Sequence, residues 1–149
     1  MLQIHPLDAF GEVRPGDDLA AMLTGALNAA GTSLEAFDIV VVTQKIVSKA
    51  EGRFADLAGV VPGAEAIRLA GVTGKDPRLV ELVLSESSAV VRAARNVLIT
   101  RHRSGHVMAN AGIDQSNLGD TAGEQVLLLP EDSDASSRRL HQALSERFP

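Results

Sequence analysis

Apolar and polar positions along this chain repeat with two periods, one near four residues and one near two. Leu19, Met22, Leu23, Ala26 and Leu27 recur at helical spacing. They predict a helix over 18–30, capped by Asp17 or Asp18 and ended by Gly31. Ile39-Val40-Val41-Val42 is a β-branched run and predicts a buried strand over 38–43. Residues 44–51 then read as a short helix leaving that strand. Pro62 predicts the start of a further helix reaching about Ala70, with Gly71 and Gly74 as its breakers. In "KDPRLVELVLSESSAVVRAA", Asp76 suits the cap and Pro77 the first helical position. The apolar side of this helix would carry Leu79, Val80, Val83 and Leu84, and later Val90 and Val91.

Two extended runs flank Ser104-Gly105, predicting a β-hairpin of 97–103 with 106–111 across a two-residue turn. In that register Arg103 faces His106. A first strand is expected over 2–7, with Pro6 marking its end or an edge, and another over 126–129. "PEDSDASSRRLHQALSERF" predicts a capped terminal helix with Leu140, Leu144 and Phe148 facing inward. The expected class is α+β (mixed α and β): a sheet with a β-hairpin, packed by about four helices.

Composition narrows the function classes. The chain has 149 residues, enough for one domain with a real core. It has no Trp or Tyr and a net charge of -5, which argues against stacked bases or a polyanion partner, so no nucleic acid is expected. Without cysteine there is neither a disulfide framework nor thiolate chemistry. The opening lacks the order of a signal peptide, and no apolar run approaches the roughly 20 residues of a membrane span. A soluble, cytoplasmic protein with no membrane partner is the expectation.

Three clusters carry possible chemistry. Gln44, Lys45, Ser48 and Lys49 follow the expected strand, where a turn into a helix exposes N–H groups that attract phosphate. Neither G-x-x-x-x-G-K-[ST] nor G-x-G-x-x-G is present. A solvated lysine face is the competing reading. "ANAGIDQSNLGD" gathers Asn110, Asp114, Ser116, Asn117 and Asp120, oxygen ligands suited to Mg²⁺ or Mn²⁺, though the same residues also make ordinary turns. Arg92, Arg95, Arg101 and Arg103 form a basic cluster that is either solvated surface or an attractor of anions. Four histidines show no zinc spacing, and no G-x-S-x-G elbow supports serine hydrolysis.

"RPGDDLA", "DIVVVTQKIVSKAEGR", "KDPRLVELVLSES", "VLITRHRSGHVMANAGIDQSN" and "LLLPEDSDASSRRL" occur in that order. Together they resemble the amino-terminal part of the coenzyme F420-0:L-glutamate ligases, the gamma-glutamyl ligase family. The resemblance implies an enzyme that adds L-glutamate to coenzyme F420-0, using GTP and Mg²⁺ or Mn²⁺ through an acyl phosphate. It implies nucleotide contacts from Phe10, Gly11, Glu12, Val13, Gln44, Lys49 and Asn117, with Asp114 binding metal. Arg101 and Arg103 would be helpers, and no catalytic residue is assigned. The family also forms homodimers.

The resemblance covers roughly the first three-fifths of the family's catalytic domain, so the chain is expected to be an incomplete ligase domain, inactive or weak alone. A homodimer or a complementary carboxy-terminal half would complete it. The alternative is a non-catalytic nucleotide-binding or assembly module.

Overall fold

A computed structural model describes residues 2–8, 10–115 and 124–148. The chain divides into two compact units, Met1–Arg53 with Pro130–Pro149, and Phe54–Leu129. The elements together make a mixed α+β protein, with helices and two small antiparallel sheets among the described residues.

In the first unit, α1 (Leu19–Ala29) starts at Asp18, whose carboxylate accepts the Ala21 N–H at 3.0 Å. The short α2 (Gln44–Ala50) starts at Thr43. It stops at Gly52, whose φ of 66° lets Arg53 N–H return to the Ser48 carbonyl at 2.9 Å. The last helix, α5 (Ser133–Ser145), is capped by Asp132. Val13, Leu19 and Val47 are buried together, with Phe10, Met22, Val42 and Leu140 packed against them. Leu144 is buried as expected, while Phe148 is half-buried.

The strands expected over 2–7 and 38–43 do not form. Both stretches lack regular structure. Leu2, Ile4, Ile39 and Val41 are each more than 80% exposed, so 38–43 is not the buried strand its composition suggested. The physical reason is the missing ladder. Among the described residues no main-chain hydrogen bond reaches 39–42, and a strand exists only with a neighbour.

The second unit closes its strands internally. Phe54–Asp56, β1, runs antiparallel to β5 (Gln125–Leu127), with Phe54 opposite Leu127. A second sheet has the order β2 (Ser87–Ala94), β3 (Val97–His102), β4 (Val107–Ala109). Helices α3 (Ala64–Thr73) and α4 (Pro77–Ser85) supply Ala66, Leu69, Val80 and Val83 to a core shared with Leu98, Ile113 and Val126.

Three details depart from the sequence pattern. α4 ends at Ser85, and Val90 and Val91 lie on strand β2, both partly exposed, not on a helix face. The polar Ser85-Glu86-Ser87-Ser88 breaks the apolar stripe, and β3 offers a ladder that a β-branched pair fits better than a helix. α3 runs through Gly71 to Thr73 and ends at Gly74. At the hairpin tip His102, not Arg103, lies opposite His106, its N–H reaching the His106 carbonyl at 2.8 Å. The turn therefore holds three residues, Arg103-Ser104-Gly105, with Gly105 at φ 93° as the left-handed member.

Candidate functional site

The residues expected to touch a nucleotide fall in the first unit, with one exception. The loop through Phe10, Gly11, Glu12 and Val13 reaches α2 by two routes. Phe10 and Val13 pack in the same cluster as Val47, and the Gly16 N–H bonds the Ala50 carbonyl at 2.8 Å. Thus a loop some thirty residues upstream lies against the helix that carries Gln44 and Lys49. Gly11 and Glu12 are exposed, whereas Val13 is buried, its side chain serving packing.

Gln44 is the first residue of α2 and is exposed; its Oε1 accepts the Ser48 hydroxyl at 3.0 Å. Ser48 itself is fully buried. One turn later Lys49 is half-buried. The Gln44 amide is held through its oxygen by its own helix, which leaves its NH₂ as a donor, and Lys49 brings a cation one turn on. Beyond the helix, Arg53 pairs with Glu131 at 3.1 Å. Glu51 takes both the Ser136 hydroxyl and the Arg139 guanidinium, the latter at 2.7 Å, which ties α2 to α5.

Asp114 belongs to the second unit. Its main chain forms a two-way bridge with Leu127, at 2.9 and 2.8 Å. The three residues Asn110, Ala111 and Gly112 all have positive φ, 51°, 52° and 74°. A left-handed alanine costs on the order of 1 kcal/mol, so the surroundings must impose this turn. At Gly112 they do so by space: a Cβ would sit 2.8 Å from both Leu129 Cδ1 and Met108 Sδ. Asn110 Oδ1 is buried and without a partner among the described residues. The turn, which follows β4, delivers Asp114, half-buried, beside Leu127 of β5. Asn117, like Ser116 and Asp120, lies outside the described residues.

Among the described residues no group of three or more His, Asp or Glu side chains is placed to hold a metal by itself. One carboxylate still fits the manner in which Mg²⁺ is commonly held, with phosphate oxygens and water completing the shell. Asp114 could therefore contribute one carboxylate to a metal that arrives with a polyphosphate.

The basic cluster separates. Arg92 lies opposite Ile99 and Arg101 opposite Ala89, which puts both on one face of β2 and β3. Arg95 sits in the connecting turn. Arg103 is drawn to Glu86, whose buried carboxylate it grips at 2.8 and 2.9 Å.

Sequence reasoning missed the polar link around this carboxylate. Ser104 N–H donates to His102 Nδ1 at 3.1 Å, so that nitrogen is an acceptor and Nε2 carries the proton. Nε2 lies 3.6 Å from Glu86, and Ser104 Oγ also lies 3.0 Å from His106 Nδ1. His102 is 2% exposed and Glu86 is also buried, whereas Arg103, Ser104 and His106 at the hairpin tip are exposed. The only sequence signal was the odd crowding of His, Arg and Ser about one glycine.

The profile of the F420-0:gamma-glutamyl ligase family matches residues 9–149. The chain is 42% identical to the coenzyme F420:L-glutamate ligase of Methanothermobacter thermautotrophicus over 90% of its own length and 52% of that protein. It is 42% identical to the Methanopyrus kandleri protein of the same name, over 97% of the chain and 54% of the relative. For the Halorubrum lacusprofundi ligase the identity is 39%, over 97% and 56%. The chain thus spans about half the length of the curated relatives it matches.

Proposed function

Because the chain belongs to the F420-0:gamma-glutamyl ligase family, we infer that it forms part of a cytoplasmic amide ligase joining L-glutamate to coenzyme F420-0. The carboxylate of the precursor attacks the γ-phosphorus of GTP. The bond to the bridging oxygen breaks, releasing GDP and leaving an acyl phosphate. The glutamate amine then attacks the acyl carbon, and phosphate departs with the C–O electron pair. The amine proton passes to solvent or phosphate. An unactivated carboxylate would have to expel oxide, so the phosphoryl group is needed to make a leaving group.

Within this scheme Lys49 neutralises phosphate charge, and Gln44 hydrogen-bonds the nucleotide. The loop of Phe10, Gly11, Glu12 and Val13 covers it, and Asn117 orients it. Asp114 would hold Mg²⁺ or Mn²⁺, which supplies further neutralisation on the phosphate oxygens. Catalysis of this kind rests on positioning and charge, not on covalent help from the protein. A homodimer or a complementary half of the domain completes the cleft. The observation that carries the reading is the family match over residues 9–149. The packing of the 10–16 loop on α2 supports it, since two segments assigned to one nucleotide are neighbours.

The test is GTP binding with Mn²⁺, followed by thermal stabilisation and by glutamate-dependent phosphate release with F420-0. Ligand at about 100 times Kd stabilises by about 2.7 kcal/mol. Lys49→Ala and Asp114→Ala should each weaken GTP binding about tenfold, or about 1.4 kcal/mol, without unfolding the chain. Binding equal to the parent in both variants would overturn the site assignment.

The second reading is a nucleotide-binding or assembly module without chemistry of its own. Phosphate release only after the part of the ligase domain outside the match is supplied supports the ligase. Release in neither case, with both parts folded, supports the module.

A further inference from the structure

Residues 39–42 have the alternation of a strand without the strand. Val40 and Val42 are half-buried, while Ile39 and Val41 are 86% and 89% exposed. The last upstream main-chain bond is Asp38 N–H to Glu35 C=O at 3.1 Å. Both edges of the segment are therefore open among the described residues. An open edge rich in β-branched residues is a template for another strand.

The same segment lines one wall of a cleft of about 760 Å³ within the first unit, with Leu140, Leu144 and Phe148 opposite. Residues 2–7 are likewise unbonded along the main chain among the described residues, with Leu2 and Ile4 exposed. Among the described residues the first unit thus leaves two stretches with exposed apolar side chains and no main-chain partner, beside a cleft with an apolar lining. In the second unit the described strands pair with one another.

We propose that residues 39–42 and the adjoining cleft receive an extended, β-branched segment, added as a strand, from the part of the ligase domain that this chain does not span. The length relation argues for this occupant. The relatives match nearly all of this chain, yet it covers only 52–56% of them, so close to half of each relative lies outside the match. The inference rests on family membership and is independent of the nucleotide chemistry. Main-chain hydrogen bonds would supply the pairing, and the alternate side chains Val40 and Val42 on one side and Ile39 and Val41 on the other would fix register.

The experiment co-expresses the full chain with the unmatched remainder of the Methanopyrus kandleri ligase as a separate polypeptide. Co-purification and amide hydrogen exchange of residues 39–42 are then measured. A 1:1 complex is expected, with exchange in 39–42 slowed about tenfold or more relative to the chain alone. Val41→Pro removes one main-chain donor at a position that bonds nothing among the described residues. Its thermal midpoint should match the parent, and its complex should be lost. No complex, a complex with 39–42 exchanging freely, or a Val41→Pro chain that still assembles would each overturn the proposal. So would a self-dimer already protecting 39–42, since a second copy would then be the occupant. GTP binding on the same samples separates the two readings: an intact complex without nucleotide binding defeats the chemistry alone, and the reverse defeats the docking alone.

Discussion

Residues 39–42 and β2 make an instructive pair. The first is the most β-branched stretch of the chain, and it pairs with nothing among the described residues. The second, SSAVVRAA, is mostly small and polar, and it forms eight residues of strand with two irregularities in its register. The difference is not propensity. β2 has β3 beside it, joined by the tight Arg95-Asn96 turn, with Asn96 at φ 62°. Strand propensity measures how well a residue suits a pleated surface that already exists. Where no surface is supplied, even Ile-Val-Val-Val stays single.

The largest expected effect tests that contrast directly. Leu98 on β3 is 1% exposed and lies in the core of the second unit. Leu98→Ala should cost about 2–5 kcal/mol. Val41→Ala in the first unit, at a site 89% exposed, should stay within about 0.5 kcal/mol. Urea midpoints of the two variants give the comparison. A Val41→Ala loss as large as that of Leu98→Ala would mean that residues 39–42 are already buried in solution.

A smaller effect is expected at the turn before Asp114. Gly112→Ala would have to move Leu129 or Met108 and would keep a methyl-bearing residue at φ 74°. Strain of this kind costs about 1–3 kcal/mol. Because the turn also aims Asp114, the variant should lose Mn²⁺-dependent GTP binding beyond what its stability loss explains. Unchanged stability would show that the turn relaxes freely, and the contrast between an imposed and an unimposed backbone would fail there.

Helix starts were legible because their signals are local. Asp18, Asp76 and Asp132 cap the three helices that the periodicity and cap residues marked out. The hairpin was legible from Ser104-Gly105, though not its three-residue turn, because Arg103 reads the same whether paired or looped. The strand β1 escaped notice, since Phe-Ala-Asp is too short to show alternation and exists by virtue of β5, some seventy residues on. β2 was hidden because Val90 and Val91 fall at a spacing that continues the apolar side of Leu79, Val80, Val83 and Leu84 across the polar Ser85–Ser88. At the candidate site, Gln44 and Lys49 could be placed on one helix from the pattern. The approach of the 10–16 loop to that helix depends on Gly16 bonding Ala50, a long-range event with no local signature. The left-handed run at Asn110, Ala111 and Gly112 was half visible, as Asn and Gly accept positive φ and Ala does not.

The smallest expected effect concerns a helix start inside the self-satisfied unit. Asp76 caps α4 and is held below the usual carboxylate range, first by the Arg78 guanidinium and then by the Arg78 N–H. A carboxylate depressed on folding adds stability above its ordinary value of 3.8, and that stability drains as pH falls toward its folded value. Asp76→Asn keeps an acceptor for the Arg78 N–H but removes the charge. Its stability at neutral pH should fall by less than about 1 kcal/mol, because the pair is a third exposed and screened. Below pH about 4 the gap between parent and variant should begin to narrow, and it closes as pH falls through the depressed folded value, where the parent loses the same charge. Hydrogen exchange across Pro77–Ser85 and across Leu19–Ala29, followed from pH 6 to 3, locates the change. Exchange altered at α4 and not at α1 is the expected outcome, whereas equal changes in both helices would show that the two regions unfold as one.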